Sequence, residues 1–308
     1  MTGYRGRFAP SPSGMLHIGS LLTAIGSWCD ARSRNGKWLL RIDDLDPPRI
    51  KKGALDSILK TLDRLGLFWD EDIVYQSSRA EAYSDALNSL HKFQKTYSCI
   101  CSRKDIIRNS KFLGVDGPVY IGTCRDIITK VKPAASRIRV DQNSINFIDV
   151  LHGLVEANVS TEVGDFVLQR ADKVFSYHLA NVVDDNFMGI TDVVRGADLL
   201  PSTSKQVCII KSLGLAQPNY LHLPIAINNK GKKLSKKNHD GSVDLEKPSI
   251  VIWEILKLLN QDPPLELNGC HLNDILRWAT YNWSRETLPS VKTIKVDYPL
   301  NDSHLNPS

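Results

Sequence analysis

Residues 13–19 read Ser13-Gly-Met-Leu-His17-Ile-Gly19, between a short apolar segment and a run with helical spacing. We predict a strand at about 6–9 and a helix at 21–31. His17 then lies next to a helix N-terminus, where backbone N–H groups and the helix dipole attract anions. The two glycines let the backbone approach a nucleotide. This stretch therefore predicts a phosphate-binding turn between a strand and a helix.

A second cationic stretch lies more than 200 residues later and reads Asn229-Lys-Gly-Lys-Lys233-Leu-Ser-Lys236-Lys. Crowded ammonium groups repel one another unless an anion binds, and Gly231 suits a loop that closes over a polyphosphate. A solvated lysine turn is the alternative. If the two stretches meet, they can hold a nucleotide triphosphate and stabilise the charge that develops as an adenylate forms. The sequence therefore predicts an enzyme.

The remaining pattern alternates strands and helices. Residues 38–42 form a compact apolar run suited to a buried parallel strand, whereas 54–65 and 80–93 have helical spacing. This order is typical of an α/β, doubly wound (Rossmann-like) parallel sheet, which binds ligands at the carboxyl ends of its strands.

We predict four segments along the chain. Residues 1–98 and 140–240 are the two halves of the catalytic domain, and the second half ends with the lysine loop. Residues 99–139 break the alternation and form an insertion, with nine basic and three acidic residues between positions 99 and 140. These charges fit either a solvated face or a nucleic-acid contact. Residues 241–308 form a small helical C-terminal part, whose end, from 290 onward, is polar and loosely held.

Composition limits the class of protein. The chain has 308 residues, 42% of them hydrophobic, and a net charge of +5, which is compatible with a polyanionic partner. We find no apolar run long enough to span a membrane and no apolar core of a signal peptide. We therefore expect a cytoplasmic protein without a membrane partner.

Three cysteines in the insertion suggest a metal. Cys99, Cys101 and Cys124 could supply three of the four ligands that structural zinc requires, although buried cysteines without a metal are also common. The other cysteines, Cys29, Cys208 and Cys270, are interpreted as core residues.

With these motifs in place, the chain resembles class I aminoacyl-tRNA synthetases of the glutamyl type. The stretches 7–19 and 233–236 look like the two signatures of that family, and 41–46, 182–185 and 194–198 match in the same order. The resemblance covers about 4–240. Three residues depart from the family pattern, namely Ser20 in place of His, Asp43 in place of Glu and Lys237 in place of Ser.

The resemblance implies the substrate contacts. It gives His17, Lys233 and Lys236 as catalytic residues. It gives an ATP site at Pro10, Ser11, Gly14, His17, Gly19, Ser20, Lys233, Leu234, Ser235 and Lys236. It gives a glutamate site at Arg7, Phe8, Ala9, Pro10, Ser11, Asp43, Tyr177 and Arg195. The two arginines suit carboxylates, whereas Asp43 suits the substrate ammonium.

The resemblance also implies the metal and the reaction. Members of the family bind one structural zinc, and Tyr120 would be the fourth ligand beside Cys99, Cys101 and Cys124, with His91 and Asp105 as alternatives. The residues after the second signature are too few for an anticodon-binding domain. One branch of the family has this short form. It activates glutamate with MgATP in the absence of tRNA and transfers it to queuosine in the anticodon of tRNA(Asp).

Other functions remain open at this point. One is a truncated glutamyl-tRNA synthetase that charges a tRNA 3′ end, or an adenylyltransferase that acts on a small carboxylate. Another is a non-catalytic, synthetase-like module that binds RNA or a protein. The intact motif residues favour an enzyme.

Overall fold

The computed structural model describes residues 3–114, 117–127, 133–141, 143–234 and 245–296. Helices α1 to α8 span Ile18–Arg32, Ala54–Arg64, Ala80–Lys92, Arg103–Asn109, Tyr177–Phe187, Leu200–Leu213, Pro248–Leu258 and Leu272–Asn282. Strands β1 to β14 span Arg5–Phe8, Lys37–Ile42, Val74–Tyr75, Thr96–Cys99, Leu113–Gly114, Gly117–Pro118, Ala135–Ile138, Ser144–Asp149, Gly153–Asn158, Val167–Gln169, Asp192–Gly196, Asn219–Leu223, Ile225–Ile227 and Thr293–Lys295.

Parallel strands form the centre of the molecule. β1 pairs with β2 and β2 with β3, while β11 pairs with β12 and β12 with β8, all in parallel. The two groups meet where the backbone N–H of Thr191 donates to the carbonyl oxygen of Arg5 at 2.9 Å. The predicted α/β class with a parallel sheet is therefore confirmed.

Successive residues of a strand point to opposite faces of the sheet, which divides the core in two. One face packs against α1, α2, α7 and α8 and takes in Trp38, Leu40, Val194 and Leu221. The other face packs against α3, α5 and α6 and takes in Leu39, Val193 and Tyr220. Side chains that alternate with the first apolar set therefore point toward α5 and α6.

A smaller antiparallel sheet, β4-β7-β10, lies beside the main sheet, and β5 and β6 form a hairpin. A small cluster of buried side chains, which includes Tyr97, Cys99 and Cys124, packs next to it. Among the described residues between 99 and 127, the only α-helix is α4, which has seven residues. The boundaries of the four predicted segments stay predictions.

Two details differ from the sequence-based expectations. The single strand expected at 222–227 is two strands, because Pro224 separates β12 from β13 and cannot donate a ladder hydrogen bond. The end of the chain is not loose throughout, since β14 pairs in parallel with β13. In the part of the chain that the structure describes, no helix is both long enough and apolar enough to cross a membrane.

Candidate active site

The predicted phosphate-binding turn connects β1 to α1. His17 is the N-cap of α1, and its Nδ1 accepts a hydrogen bond from the backbone N–H of Gly19 at 3.1 Å. The Ser20 hydroxyl lies 3.2 Å from His17 Nε2. Gly14 has a φ of 145°, which other residues rarely adopt. The imidazole is thus held across the first turn of the helix, at the positive end of its dipole.

The described part of the lysine loop reaches this turn. The backbone N–H of Leu234 donates to the carbonyl oxygen of Ala226 at 3.0 Å, and its side chain is buried in the same core as Leu16 and Ile18. The Leu234 carbonyl oxygen lies 3.9 Å from the point where a Cβ atom on Gly19 would be. The two stretches that the sequence singled out are therefore adjacent.

One lysine of this loop has a partner in the structure. The Lys233 ammonium forms an ion pair with the carboxylate of Asp198, which follows β11, and both side chains are partly exposed. Ser235, Lys236 and Lys237 lie outside the described residues.

Strand alternation brings three arginines to one face of the sheet. Arg7 on β1, Arg41 on β2 and Arg195 on β11 are all nearly or fully buried. Each is next in sequence to an apolar residue that points to the opposite face, such as Phe8 or Val194. All three guanidiniums therefore lie on the side covered by α5 and α6, near the carboxyl ends of their strands.

Two of these arginines are neutralised by carboxylates. Arg7 Nε donates to Asp185 Oδ1 at 3.0 Å, and Arg41 Nη1 donates to the same oxygen at 2.5 Å. Arg41 also donates through Nε to Asp43 and through Nη2 to Asn181. Burial acts to raise the pKa of Asp185, but the two guanidiniums more than offset it and hold the pKa below its ordinary value.

Arg195 has a different environment. Its Nε donates to His222 Nε2 at 3.1 Å, and its Nη2 donates to Thr203 Oγ1 at 2.7 Å and to Gln206 Oε1 at 2.8 Å. These partners are neutral. The remaining nitrogen, Nη1, is buried without a hydrogen-bond partner in the described part of the chain. Burial lowers the pKa of Arg195, although guanidinium is so basic that it stays charged.

The other predicted glutamate ligands lie around this cluster. The Tyr177 hydroxyl is within electrostatic range of Arg195, Asp43 and Arg7. Burial raises the pKa of Asp43, and Arg41 acts in the opposite direction. The Phe8 side chain stacks on Trp38 in the core, so any contact of Phe8 with glutamate involves its backbone.

Ala9, Pro10 and Ser11 follow β1 toward the turn at His17. The Pro10 carbonyl oxygen accepts from the backbone N–H of Asp43 at 3.1 Å. This bond ties the start of the phosphate-binding turn to the end of β2.

The charges of the pocket suit glutamate. Arg7, Arg41 and Arg195 contribute three positive charges, whereas Asp43 and Asp185, which form ion pairs with the first two arginines, contribute two negative charges. The cluster therefore has a net charge of about +1, which matches the net charge of about −1 that glutamate carries at neutral pH.

The three predicted cysteine ligands also lie together. The Sγ atoms of Cys99, Cys101 and Cys124 lie within 4.8 Å of one another. Tyr120 Oη is 3.4 Å from Cys99 Sγ and 3.6 Å from Cys101 Sγ. A tetrahedral zinc site with Zn–S bonds of about 2.3 Å separates its ligands by about 3.8 Å, so these four groups fit such an ion.

The alternative fourth ligands are engaged elsewhere. Asp105 accepts from the backbone N–H and the hydroxyl of Ser102 at the start of α4. His91 Nδ1 lies 3.3 Å from Thr96 Oγ1. Burial acts to raise the pKa of Cys124, but hydrogen bonds from Tyr120 and from the Ile100 backbone lower it to about 7, which favours the thiolate that a metal binds.

Sequence reasoning assigned no role to several residues of the pocket. Asp185 and Arg41 were noted only as parts of matching motifs, and Asn181 and His222 were not assigned to the site. The signal for Arg41 and Asp185 was present, because an arginine within an apolar strand needs a carboxylate partner. The position of Asn181 one helical turn before Asp185 on α5 gave no comparable signal.

Comparison with known proteins agrees with this geometry. Residues 4–260 match the family model of the tRNA synthetases class I (E and Q), catalytic domain. The glutamyl-Q tRNA(Asp) synthetase of Dechloromonas aromatica (strain RCB) is 45% identical over 288 residues, which are 93% of this chain and 96% of that protein. The one of Photobacterium profundum is 42% identical over 293 residues, 95% of this chain and 92% of that protein.

Solved structures show the same fold. A glutamate tRNA ligase from Elizabethkingia meningosepticum, in complex with its amino acid, gives a TM-score of 0.78 at 22% identity and covers 97% of this chain and 68% of that chain. A methionyl-tRNA synthetase from Mycobacterium tuberculosis is more distant, with a TM-score of 0.52. The chain therefore belongs to the class I (E and Q) tRNA synthetase family, and to the group of it named glutamyl-Q tRNA(Asp) synthetases.

Proposed function

We propose that this chain activates glutamate with MgATP, in the absence of tRNA, and transfers the glutamyl group to queuosine in the anticodon of tRNA(Asp). The names of the relatives support this specificity. A glutamate-activating site is also supported by the arginine pocket next to the phosphate-binding turn.

The unpartnered edge of Arg195 is the observation that carries the proposal. A buried guanidinium is costly unless an anion pairs with it. Arg41 and Arg7 obtain that anion from Asp185, whereas Arg195 has only neutral partners among the described residues. A substrate carboxylate supplies the missing charge, and Arg195 can donate to it through Nη1.

The first step is an in-line displacement on ATP. A carboxylate oxygen of glutamate forms a bond to the α-phosphorus, and the bond from that phosphorus to the pyrophosphate oxygen breaks. His17 and the α1 N-terminus position the phosphates, while Lys233 and Lys236 offset the charge that builds on pyrophosphate. The ATP contacts at Pro10, Ser11, Gly14, Gly19, Ser20, Leu234 and Ser235 belong to the same proposal.

The second step transfers the glutamyl group. A queuosine hydroxyl attacks the activated carbonyl carbon, AMP leaves, and the hydroxyl proton goes to solvent or to the departing phosphate. Asp43 holds the substrate ammonium and Tyr177 donates to glutamate, so the acyl group stays fixed during transfer. Among the described residues we find no nucleophile set that calls for a covalent enzyme intermediate.

A structural zinc ion completes the proposal. Cys99, Cys101, Cys124 and Tyr120 would hold one ion per chain, and this ion would stiffen the region around β4. It takes no part in the chemistry, because the four ligands fill a tetrahedral shell.

Two assays test the function in sequence. We expect ATP–pyrophosphate exchange that depends on glutamate and proceeds without tRNA. Labelled glutamate should then appear on tRNA(Asp) that carries queuosine, at the anticodon, and not on the matched transcript without queuosine. Label at the 3′ end would instead indicate an ordinary glutamyl-tRNA synthetase activity, and the absence of exchange would refute glutamate activation.

A further inference from the structure

His222 is a fully buried polar side chain that the reaction described above does not use. It lies on β12, directly opposite Arg195 on β11 in the parallel register. The ring stacks on Tyr220 at a centroid distance of 6.2 Å. His222 therefore contacts the Nε edge of Arg195, the arginine that we assign to the substrate carboxylate.

The hydrogen bonds define the protonation state of the ring. Guanidinium has no acceptor atom, so the bond between Arg195 Nε and His222 Nε2 requires a lone pair on Nε2. The ring proton is then on Nδ1, which donates to Asp149 Oδ2 at 2.7 Å. Burial lowers the pKa of His222 to about 4, although Asp149 acts to raise it, so the ring is neutral at pH 7.

Asp149 is itself fixed by the backbone. Its Oδ1 accepts from the N–H groups of Leu151 and His152, and its Oδ2 accepts from the N–H of His222. Asp149, His222 and Arg195 thus form a rigid chain of hydrogen bonds that leads from a loop to the pocket.

A neutral acceptor has a specific advantage behind Arg195. A carboxylate in the place of His222 would hold the guanidinium equally well, but it would neutralise its charge and compete with the substrate. The imidazole orients Arg195 and leaves its positive charge uncompensated. Thr203 and Gln206 fix the Nη2 edge in the same neutral way.

We propose that His222, oriented by Asp149, is a positioning residue that aims the Arg195 guanidinium at a glutamate carboxylate while leaving its charge available. This inference rests on the proposed glutamate site. The Asp149–His222 pair acts on substrate affinity through Arg195 and does not touch the reacting atoms.

A matched pair of variants tests this role. His222→Gln places an amide near the position of Nε2 and keeps an acceptor for Arg195. His222→Asn places its amide near Nδ1 and keeps only the contact with Asp149. A bond to a charged group contributes enough to change affinity by about tenfold. We expect His222→Asn to raise the KM for glutamate by about tenfold and His222→Gln by about threefold or less.

The assay is glutamate-dependent ATP–pyrophosphate exchange on the full chain, with KM for glutamate, KM for ATP and kcat measured separately. KM for ATP should stay within about twofold in both variants, because His222 does not contact the phosphate-binding turn. Equal glutamate KM values in the two variants, whether raised or unchanged, would refute the positioning role.

One further variant covers the case in which His222→Asn does not fold. Asp149→Asn leaves the ring in place but weakens its orientation, and we expect a rise of about threefold in the glutamate KM with thermal unfolding still cooperative. An unchanged KM would overturn the role of Asp149. If the wild-type chain shows no exchange, the proposed function itself is refuted. If the wild type is active but the His222 variants have the same KM for glutamate, only this inference is refuted.

Discussion

Arg41 and Arg195 lie on the same side of the two adjoining groups of parallel strands, yet their surroundings differ in charge. Arg41 donates to the carboxylates of Asp43 and Asp185, whereas Arg195 donates to a neutral imidazole, a hydroxyl and an amide. Both side chains are buried. The difference separates an arginine whose charge is compensated within the fold from an arginine whose charge, as we propose, a substrate anion compensates.

The largest expected effect is on substrate binding at Arg195. Arg195→Met should lower kcat/KM for glutamate by about 100-fold or more, because the substrate carboxylate loses both its bond to Nη1 and the one uncompensated positive charge. Removal of a buried charge that has no counter-ion offsets part of the loss of its hydrogen bonds to His222, Thr203 and Gln206, so the free energy of unfolding should fall less than in Arg41→Met. Exchange assays and chemical denaturation measure the two effects. A variant that binds glutamate as well as the parent does would contradict the pocket assignment.

The same substitution at Arg41 should mainly lower the stability of the fold. Arg41→Met leaves Asp43 without its arginine partner and Asp185 with Arg7 alone, and we expect a loss of about 3 kcal/mol in the free energy of unfolding. Urea denaturation at pH 7 checks this value, with Arg195→Met as the matched control. Equal stabilities of the two variants would remove the distinction between the two arginines.

The cysteine cluster should bind zinc, and the metal should affect stability without affecting glutamate binding. Purified protein should contain about one zinc ion per chain, and Cys99→Ser combined with Cys101→Ser should abolish it. Elemental analysis gives the metal content, and thermal unfolding of the parent with and without a chelator gives the effect on stability. Glutamate-dependent exchange by the metal-free protein, where it stays folded, should keep its KM for glutamate. No zinc in freshly purified protein would refute the site.

Acid should weaken the ion pairs that Asp185 forms with Arg41 and Arg7. The pKa of Asp185 is lower in the folded chain than in the unfolded chain, so its contribution to stability is present above the unfolded pKa of about 4 and is lost as pH falls through the folded pKa. Asp185→Asn should therefore flatten the dependence of stability on pH below about 4. Denaturation series of both proteins from pH 6 down to pH 3 measure this slope, and parallel curves would contradict the prediction.

The smallest expected effect is at the exposed ion pair between Lys233 and Asp198. Such a pair contributes less than about 1 kcal/mol. Asp198→Asn releases the lysine toward the phosphates and should lower the KM for ATP by about twofold, with an unchanged KM for glutamate. Exchange kinetics at low and at high salt check this prediction, since salt should reduce the difference in KM for ATP between the variant and the parent.

Much of this arrangement could be predicted from the sequence. The family and the α/β fold were predicted correctly, because the two signatures have their own spacing and the apolar runs have clear periods. The early histidine turn and the late lysine loop were expected to hold one nucleotide together, and Gly19 and Leu234 of these two stretches are adjacent. His17 is placed as predicted at the N-terminus of α1.

The polar connections behind the pocket could not be predicted. The pairing of Arg195 with His222 depends on the register between β11 and β12, and no local pattern fixes that register. The Arg7–Asp185 bond joins residues 178 positions apart, so it appears only after the sheet and α5 have packed. The same holds for β14, whose short polar sequence resembles a loop until β13 provides a partner.

The pairing of β13 with β14 has a mechanical consequence. β13 leads directly into the lysine loop, and its register partners Thr293, Ile294 and Lys295 come from near the far end of the chain. The backbone N–H of Val296 also donates to the carbonyl oxygen of Ile227 at 2.9 Å. The C-terminal segment thus holds in place the strand that leads into residues 228–234, so a substitution at 293–296 acts on this stretch through β13, far from it in sequence.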